Sequence, residues 1–346
     1  MKQIMKHHLL LLSLLLFFMS CKNNASSDGT FPETKTIKHT KVFSDNEPIF
    51  RGGDMLYFEN DNSLIIEIYN DEYNLLKVNL NDNSITKLLP VGNGPGEFVR
   101  IGISQKTSDS TFLFQDSNSA QLYEMNIITG ELIKEYDYAG NRFMKIVKMN
   151  DYYIGTGVFN EGMFAVSNNN DSVHYVHHYP EDNIDNSKTA SKAMAYQGRL
   201  LSNETLERVL FCSIRFPYFE IFQFDNYKVS SVKKSYIGEF DYTISPDENM
   251  VFAAVAKNNR EGYVDVDATF QNIYLLYSGR SVADPDIETN EQASLSNRIL
   301  VYDWDGNPVM QYETDVDLTS ICVNESKNII YAVSFNPDPE IVLFKL

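Results

Sequence analysis

Arginine is the residue whose positions in this sequence most suggest a binding site. The chain has nine arginines against 47 acidic residues. A guanidinium group can hold a carboxylate, a sulfate or sugar hydroxyls through paired hydrogen bonds. Several such groups at one place would therefore indicate a site for a small anionic or polar ligand. In the fold predicted below, six arginines fall on one rim: Arg51, Arg100, Arg142, Arg199, Arg215 and Arg280.

Two other clusters resemble metal sites, but neither has suitable spacing. His177 and His178 are adjacent, so on a strand they would point to opposite faces, and His174 would lie about 13 Å from His178. Residues 303–307, Asp-Trp-Asp-Gly-Asn, resemble part of a calcium loop, but the glycine is fourth rather than sixth and no glutamate closes the loop. We expect a solvated strand and a hairpin turn here, with no metal and no other cofactor.

The sequence does not decide whether the protein is an enzyme. It contains no Gly-x-Ser-x-Gly elbow, no His-Glu-x-x-His pair and no phosphate-binding P-loop.

The arginines share a location only because of the strand pattern around them. Residues 100–138 have the pattern of four short strands with Gly130 in the last turn, where a positive φ is required. One such unit cannot cover both faces of its sheet, so it needs copies of itself on either side. The four predicted strands are Arg100–Lys106, Ser110–Gln115, Gln121–Ile127 and Leu132–Tyr138.

Six such units fill the chain and predict an all-β fold, a six-bladed β-propeller. The sixth unit supplies three strands, so the N-terminal strand Thr36–Phe43 is expected to pair with the last blade and close the ring. A two-domain β-sandwich is the alternative fold, but a spacing of roughly 45–55 residues between units favours the propeller.

Two units depart from the simple pattern. The fourth is expected to begin with a polar loop, Asn183–Lys192, and an inner strand, Ala193–Ser202. The fifth has a polar, acidic insertion, Ser281–Ser296, and an outer strand, Pro308–Thr314, separate from the first strand of the sixth unit, Leu318–Asn324.

In a propeller, the segments that enter inner strands and those that leave second strands emerge on one face, around the mouth of the central channel. Four of the six arginines lie near the starts of inner strands, and Arg215 and Arg280 end second strands. The alternative is that these arginines pair with neighbouring acids such as Glu97 and tie the blades together. Aromatic residues on the same rim could stack on a ring-shaped ligand: Phe98, Phe143, Tyr196, Phe216 and Tyr218.

The N-terminus has the pattern of an export signal. Lys2 and Lys6 precede the apolar run Leu9–Met19, which is too short to span a bilayer. The following Phe18-Met19-Ser20-Cys21 resembles the bacterial lipobox, which implies cleavage before Cys21 and a lipid anchor on that residue. Ordinary secretion with a free cysteine is the alternative. We expect a signal peptide at residues 1–20, a flexible tether at 21–35 and the propeller at 36–346.

Charge and cysteine content limit the partners further. The net charge of −18 argues against binding to nucleic acid, because a phosphate backbone would be repelled. Contact with a membrane is expected through the lipid anchor alone. Cys212 and Cys322 lie in apolar, strand-like runs far apart in sequence, so buried thiols and a disulfide both remain open.

Two motifs carry a resemblance to a known family. Val91–Phe98, with the sequence VGNGPGEF, is similar to a glycine-rich loop of the six-bladed TolB-like and NHL-like propeller lipoproteins of Bacteroidetes. Tyr277-Ser278-Gly279-Arg280 resembles a second signature of the TolB-like group. The resemblance implies a propeller in the cell envelope, on the periplasmic face of the outer membrane or at the cell surface. It implies no reaction.

These observations predict an envelope lipoprotein that binds a small anionic or polar ligand, such as a glycan, or a partner protein at the channel mouth. Two alternatives stay open: a lyase or hydrolase acting on acidic sugars, and an assembly module of an envelope complex.

Overall fold

Short strands with apolar residues on both faces build this protein. The computed structural model describes residues 30–43, 53–116, 118–138, 143–168, 173–247, 250–335 and 339–346. The strand Ser63–Glu67 shows the pattern most clearly, because all five of its residues are buried. A strand of this kind must lie within a sheet that is covered on both sides.

Four antiparallel sheets, blades 1 to 4, each contain four strands that follow one another in sequence. The strands are β3 (Met55–Phe58), β4 (Ser63–Glu67), β5 (Tyr73–Asn79) and β6 (Ile85–Pro90) in blade 1, β7 (Ile101–Lys106), β8 (Thr111–Asp116), β9 (Gln121–Asn126) and β10 (Leu132–Asp137) in blade 2, β11 (Phe143–Met149), β12 (Tyr152–Gly157), β13 (Phe164–Ser167) and β14 (His174–Val176) in blade 3, and β15 (Gly198–Asn203), β16 (Arg208–Ser213), β17 (Tyr218–Asp225) and β18 (Lys228–Tyr236) in blade 4.

The C-terminal strands form one larger sheet that comprises blades 5 and 6. Blade 5 contains β21 (Tyr263–Ala268), β22 (Asn272–Tyr277), β23 (Ser296–Asp303) and the first part of β24 (Pro308–Asn324). Blade 6 contains the second part of β24, then β25 (Ile329–Phe335), β26 (Pro339–Lys345) and the N-terminal strand β2 (His39–Lys41).

The N-terminal segment pairs with this C-terminal sheet, as the sequence predicts. β2 runs antiparallel to β26, with His39 opposite Phe344. A further strand, β1 (Thr34–Ile37), runs parallel to the first part of β24. Thr34 and Lys35, which the sequence analysis assigned to the tether, belong to this strand.

Apolar clusters lie between successive blades. Clusters join blades 1 and 2, 2 and 3, 3 and 4, 4 and 5, and 5 and 6. One more cluster joins blade 6 to blade 1, where Phe43 and Tyr331 pack near Tyr57 and Leu64. Blades 1 to 4 are separate sheets, whereas blades 5 and 6 share one sheet through β24, and within the described residues no single sheet runs round the molecule.

Two predicted strand boundaries are wrong. Residues 193–195 belong to a helix, α1 (Thr189–Ala195), because the sequence TASKAMA is rich in good helix formers; the inner strand begins at Gly198. The outer strand of blade 5 does not end at Thr314 but continues as the 17-residue β24, with the register shifting opposite β23 between Ser296 and Arg298.

The long connections contain structure of their own. The segment before blade 5 forms a hairpin, β19 (Tyr242–Ile244) and β20 (Ala253–Val255), which contacts α1. The acidic insertion contains a short helix, α2 (Asn290–Ala293), which begins at a capping box between Thr289 and Gln292.

The glycine-rich loop is a turn between blades 1 and 2. The Glu97 carboxylate accepts a hydrogen bond from the Gly94 N–H at 2.8 Å, and Gly96 has a φ of 77°. Phe98 is buried, and its ring contacts Phe114 and Tyr123 edge-on. The loop thus fastens one blade to the next, and Glu97 is engaged within it.

The two cysteines are buried free thiols. Cys212 packs between blades 4 and 5, whereas Cys322 packs between blades 6 and 1.

A chain that begins at residue 44 should be less stable than one that begins at residue 30. The truncation removes buried Ile37 and Phe43 and leaves the β26 edge unpaired. We expect a loss of about 5 kcal/mol and a melting temperature lower by roughly 10 °C, with self-association through the free edge. Thermal unfolding and size-exclusion chromatography test this expectation; equal melting temperatures would show that β1 and β2 do not hold the last blade.

Candidate ligand-binding site

The structure describes four of the six arginines that the sequence predicts on one rim. Arg51, Arg142 and the lipidation residue Cys21 lie outside the described residues. Arg100 precedes β7, Arg199 is in β15, and Arg215 and Arg280 follow β16 and β22, so all four are at the expected ends of their strands. Their guanidinium groups, however, have different surroundings and do not form one group.

Arg199 reaches across the central channel. It donates a hydrogen bond to the Asp54 carboxylate just before β3 of blade 1 and lies 3.5 Å from the Asp265 carboxylate of blade 5. Lys145 of blade 3 lies 3.8 Å from Asp54. Burial alone would raise the pKa of Asp54, but the charges of Arg199 and Lys145 hold it below its ordinary value. Arg199 therefore connects blades around the channel instead of pointing at solvent.

The other three arginines have local surroundings. Arg280 binds the Asp317 carboxylate at 3.1 Å, and Arg100 lies over the Tyr69 ring at 4.4 Å from its centroid. Arg215 is exposed; burial raises the pKa of nearby Glu261, and the charge of Arg215 opposes that rise.

The channel itself holds a small polar cavity of about 120 Å³, lined by inner strands of all six blades. It is smaller than an engineered cavity of about 150 Å³ that holds a benzene ring, so it is too small for a sugar. Six charged residues line it: Asp54, Lys106, Lys145, Arg199, Asp265 and Asp267. Burial raises the pKa of Asp267 to about 7.

A second cavity, of about 1250 Å³, lies above blades 3, 4 and 5 on the face where the arginines were expected. We call it the rim cavity. Three parts of the chain form it: the connection from β14 to α1, the turn at Phe216 between β16 and β17, and the segment from the end of β18 to Arg260.

Aromatic rings form much of its wall. Phe216 stacks on Phe240 with ring centroids 4.7 Å apart and planes 10° from parallel. Tyr196 meets Phe240 edge-on at 5.1 Å and Tyr218 edge-on at 5.9 Å. Since Tyr196 follows directly after α1, the helix places this ring in the wall.

Asp182 holds the wall together. Its carboxylate accepts hydrogen bonds from the hydroxyls of Tyr196, at 3.0 Å, and Tyr242, at 2.7 Å. Lys192 of α1, which is 1% exposed, lies 2.9 Å from the same carboxylate and donates to the Pro180 carbonyl. Burial and the Asp182 charge raise the pKa of Tyr196 far above its ordinary value, so its hydroxyl stays protonated as a donor.

A second carboxylate, Glu220, lies behind the wall. It is fully buried and accepts a hydrogen bond from the Tyr218 hydroxyl, while Lys234 and His177 lie 3.6 and 3.7 Å from it. Burial alone would raise its pKa, but the nearby His177 ring, the Tyr218 hydroxyl and the Lys234 charge hold it below its ordinary value. Glu220 is thus an ionised group that fixes Tyr218 and Lys234.

Sequence reasoning found part of this cavity. Of the rim aromatics, Tyr196, Phe216 and Tyr218 line it, whereas Phe98 and Phe143 pack between blades. Asp182 and Phe240 were missed, because their roles depend on contacts between separate connections. The unusual length of those connections was the feature of the sequence that could have indicated a cavity there.

His177 and His178 lie beyond the end of a strand. β14 ends at Val176, so His177 and His178 follow the strand instead of alternating along it, and His177 has a φ of 61°. Across the part of the chain that the structure describes, no three His, Cys, Asp or Glu side chains are placed to hold a metal ion.

A family model described as TolB-like 6-blade propeller-like matches residues 60–326. The chain belongs to this TolB-like propeller family. The match agrees with the six units seen here and with the two motifs identified in the sequence.

Solved structures with a similar fold extend the comparison. A DUF4221 family member from Bacteroides vulgatus superposes with a TM-score of 0.54 and 11% identity, over 90% of this chain and 97% of that one. A protein from Bacteroides fragilis described as exported gives a TM-score of 0.52 and 11% identity, over 90% and 98%. A gluconolactonase from Xanthomonas campestris gives 0.50 and 8%, over 94% and 100%. At these identities the similarity shows the fold of the TolB-like chain and nothing about its ligand.

The comparison with curated proteins gave no match. In the ranges of the chain that the structure covers, no helix has the length and apolar character needed to cross a membrane.

Replacing Arg199 should strongly destabilise the protein. Arg199→Met leaves Asp54 and Asp265 without their main cation, so we expect a loss of about 3–5 kcal/mol in the free energy of unfolding. Arg260→Met, which breaks the more exposed pair with Asp284, should cost less than about 1 kcal/mol. Chemical denaturation measures both, and equal losses would contradict a role for Arg199 across the channel.

Asp267 should make stability depend on pH. Its folded pKa of about 7 exceeds the unfolded value of about 3.9, so the folded protein keeps a proton that the unfolded chain releases. This contribution falls as pH rises from about 4 to about 7. Asp267→Asn has no carboxyl group at this position and should not show this fall. Its melting temperature should therefore decrease less than that of the wild type between pH 5 and pH 8. An unchanged pH profile would contradict the assignment; Asp305→Asn, at a largely exposed carboxylate, is the control.

Proposed function

We propose that this protein is an exported, lipid-anchored six-bladed propeller that binds a small polar ligand of sugar size in the rim cavity. In this proposal β2 closes the ring, residues 1–20 are the export signal, and Cys21 carries the lipid that holds the protein at the outer membrane. The pattern of the N-terminal residues supports this location, as does the fold shared with a protein described as exported.

The observation that carries the proposal is the shape and chemistry of the rim cavity. Ligand pockets commonly enclose about 300–1000 Å³, so a cavity of about 1250 Å³ has room for an oligosaccharide. Phe240 and Tyr236 are partly exposed in its wall, and their ring faces suit the apolar face of a sugar. Because Asp182 holds the tyrosine hydroxyls in place, little order would be lost on binding.

The contacts of the described arginines support a ligand in the rim cavity more than one held by the arginines themselves. Arg199 and Arg280 are already bound to carboxylates, whereas Arg100 and Arg215 keep exposed side chains on the same face. A lyase or hydrolase acting on acidic sugars would need guanidinium groups to neutralise the substrate, and the pairing of Arg199 and Arg280 with carboxylates favours binding without catalysis.

A second candidate, an assembly module of the envelope, is favoured by one feature. Met250, Val251 and Phe252 next to β20 are exposed apolar side chains, and such a cluster suits contact with a partner protein.

Phe240→Ala should weaken ligand binding without unfolding the protein. Loss of one stacked ring should cost about 1–1.5 kcal/mol, or about a five- to tenfold rise in Kd. Thermal shift with neutral, amino and acidic oligosaccharides identifies a ligand, and calorimetry measures its Kd. Phe270→Ala is the control, because Phe270 is an exposed phenylalanine between β21 and β22 on the opposite face. A ligand bound equally well by both variants would place the site elsewhere, and the absence of any ligand would favour the assembly candidate.

A further inference from the structure

The rim cavity carries an excess of negative charge that its own cations do not balance. Its lining includes Glu181, Asp182, Glu239 and Asp241, against the cations Lys234 and Arg260. The cations are already engaged: Lys234 lies 3.6 Å from Glu220, and Arg260 lies 3.2 Å from Asp284 and donates to the Gly279 carbonyl at 2.8 Å.

The four acidic residues of the lining differ in whether a cation neutralises them. Asp182 is neutralised by Lys192 at 2.9 Å. Glu181, Glu239 and Asp241 have no cation within ion-pair distance among the residues that the structure describes. Among the Lys, Arg, Asp and Glu side chains that line the cavity, those without an ion-pair partner are therefore carboxylates, and the lining also includes His177 and His178. These carboxylates are the opposite of what an arginine-based site would offer.

The aromatic wall favours the same kind of ligand. Rings attract a cation to their negatively charged faces, and this attraction is stronger where water is partly excluded. Phe240, Tyr236 and Phe216 lie in the same wall as Glu239 and Asp241. An ammonium group placed over these rings would be close to carboxylates as well, whereas a uronic acid or a sulfated sugar would be repelled.

We propose that the ligand of the rim cavity carries a protonated amine on a polar, ring-shaped scaffold, which is the chemistry of an amino sugar. This inference rests on the proposed function, because it takes the rim cavity as the binding site. The arginines in the sequence suggested an anionic ligand, whereas this inference gives the ligand a positive charge.

Three tetrasaccharides of equal length test the proposal on the mature chain: β-1,4-linked glucosamine, its fully N-acetylated form, and a galacturonic acid tetramer. Calorimetry at pH 6.0 in 50 mM salt should give the amine form a Kd at least about tenfold below that of the N-acetylated form. In 500 mM salt that advantage should shrink to a few-fold, because exposed charges are screened.

The double variant Glu239→Gln/Asp241→Asn should reduce the preference for the amine form by about fivefold and leave the affinity for the N-acetylated form unchanged. The matched control Asp109→Asn/Glu131→Gln removes the same net charge from exposed positions around blade 2 and should leave the preference intact. Circular dichroism and melting temperature confirm that each variant is folded.

The outcomes separate the two proposals. Equal affinity for the amine and N-acetylated forms, both weakened by Phe240→Ala, would overturn the charge inference and keep the rim cavity as the site. Tightest binding of the galacturonic acid tetramer would overturn it in favour of the arginines. Binding of none of the three would count against both the inference and the proposed function.

Discussion

Each blade of this protein has two apolar faces and can be stable only between two neighbours. The fully buried strand Ser63–Glu67 shows this requirement at its simplest, and the clusters between successive blades show how it is met. Because both faces of every sheet must be buried, the first and last blades must also be covered. The pairing of β2 with β26 and the packing of Phe43 against blade 6 follow from that need. Stability thus comes from the strands, and the connections are free to vary.

The long connections between blades form the rim cavity, which is the proposed binding site. The axial channel is narrow and is crossed by Arg199, whose contacts with Asp54 and Asp265 connect blades 4, 1 and 5. The connections before blades 4 and 5 are longer, and they add α1 and the hairpin of β19 and β20. Asp182 binds one connection to the other through Tyr242, 60 residues away in sequence. The rim cavity is therefore a product of insertions in a regular framework.

The framework could be predicted from sequence because its signals are local. Alternating and doubly apolar strands, Gly130 with its positive φ, and the missing fourth strand of the last unit each reflect interactions within a few residues or one repeat. The placement of arginines at strand ends follows from the same regularity. Whether a given arginine is free could not be predicted, because Arg199 and Arg280 meet Asp54 and Asp317 only after the chain has folded. The strand expected at Ala193–Ser202 was wrong in its first part for a similar reason, since the start of that stretch packs as a helix beneath the cavity wall.

The position of the ligand is the central claim, and a crystal structure of the protein with an oligosaccharide bound tests it most directly. The account predicts electron density over Phe240 and Tyr236, between the connection at Asp182 and the segment at Asp241. Density in the channel beside Arg199, or against Arg100 before β7, would contradict it and return the arginines to the role that the sequence suggested.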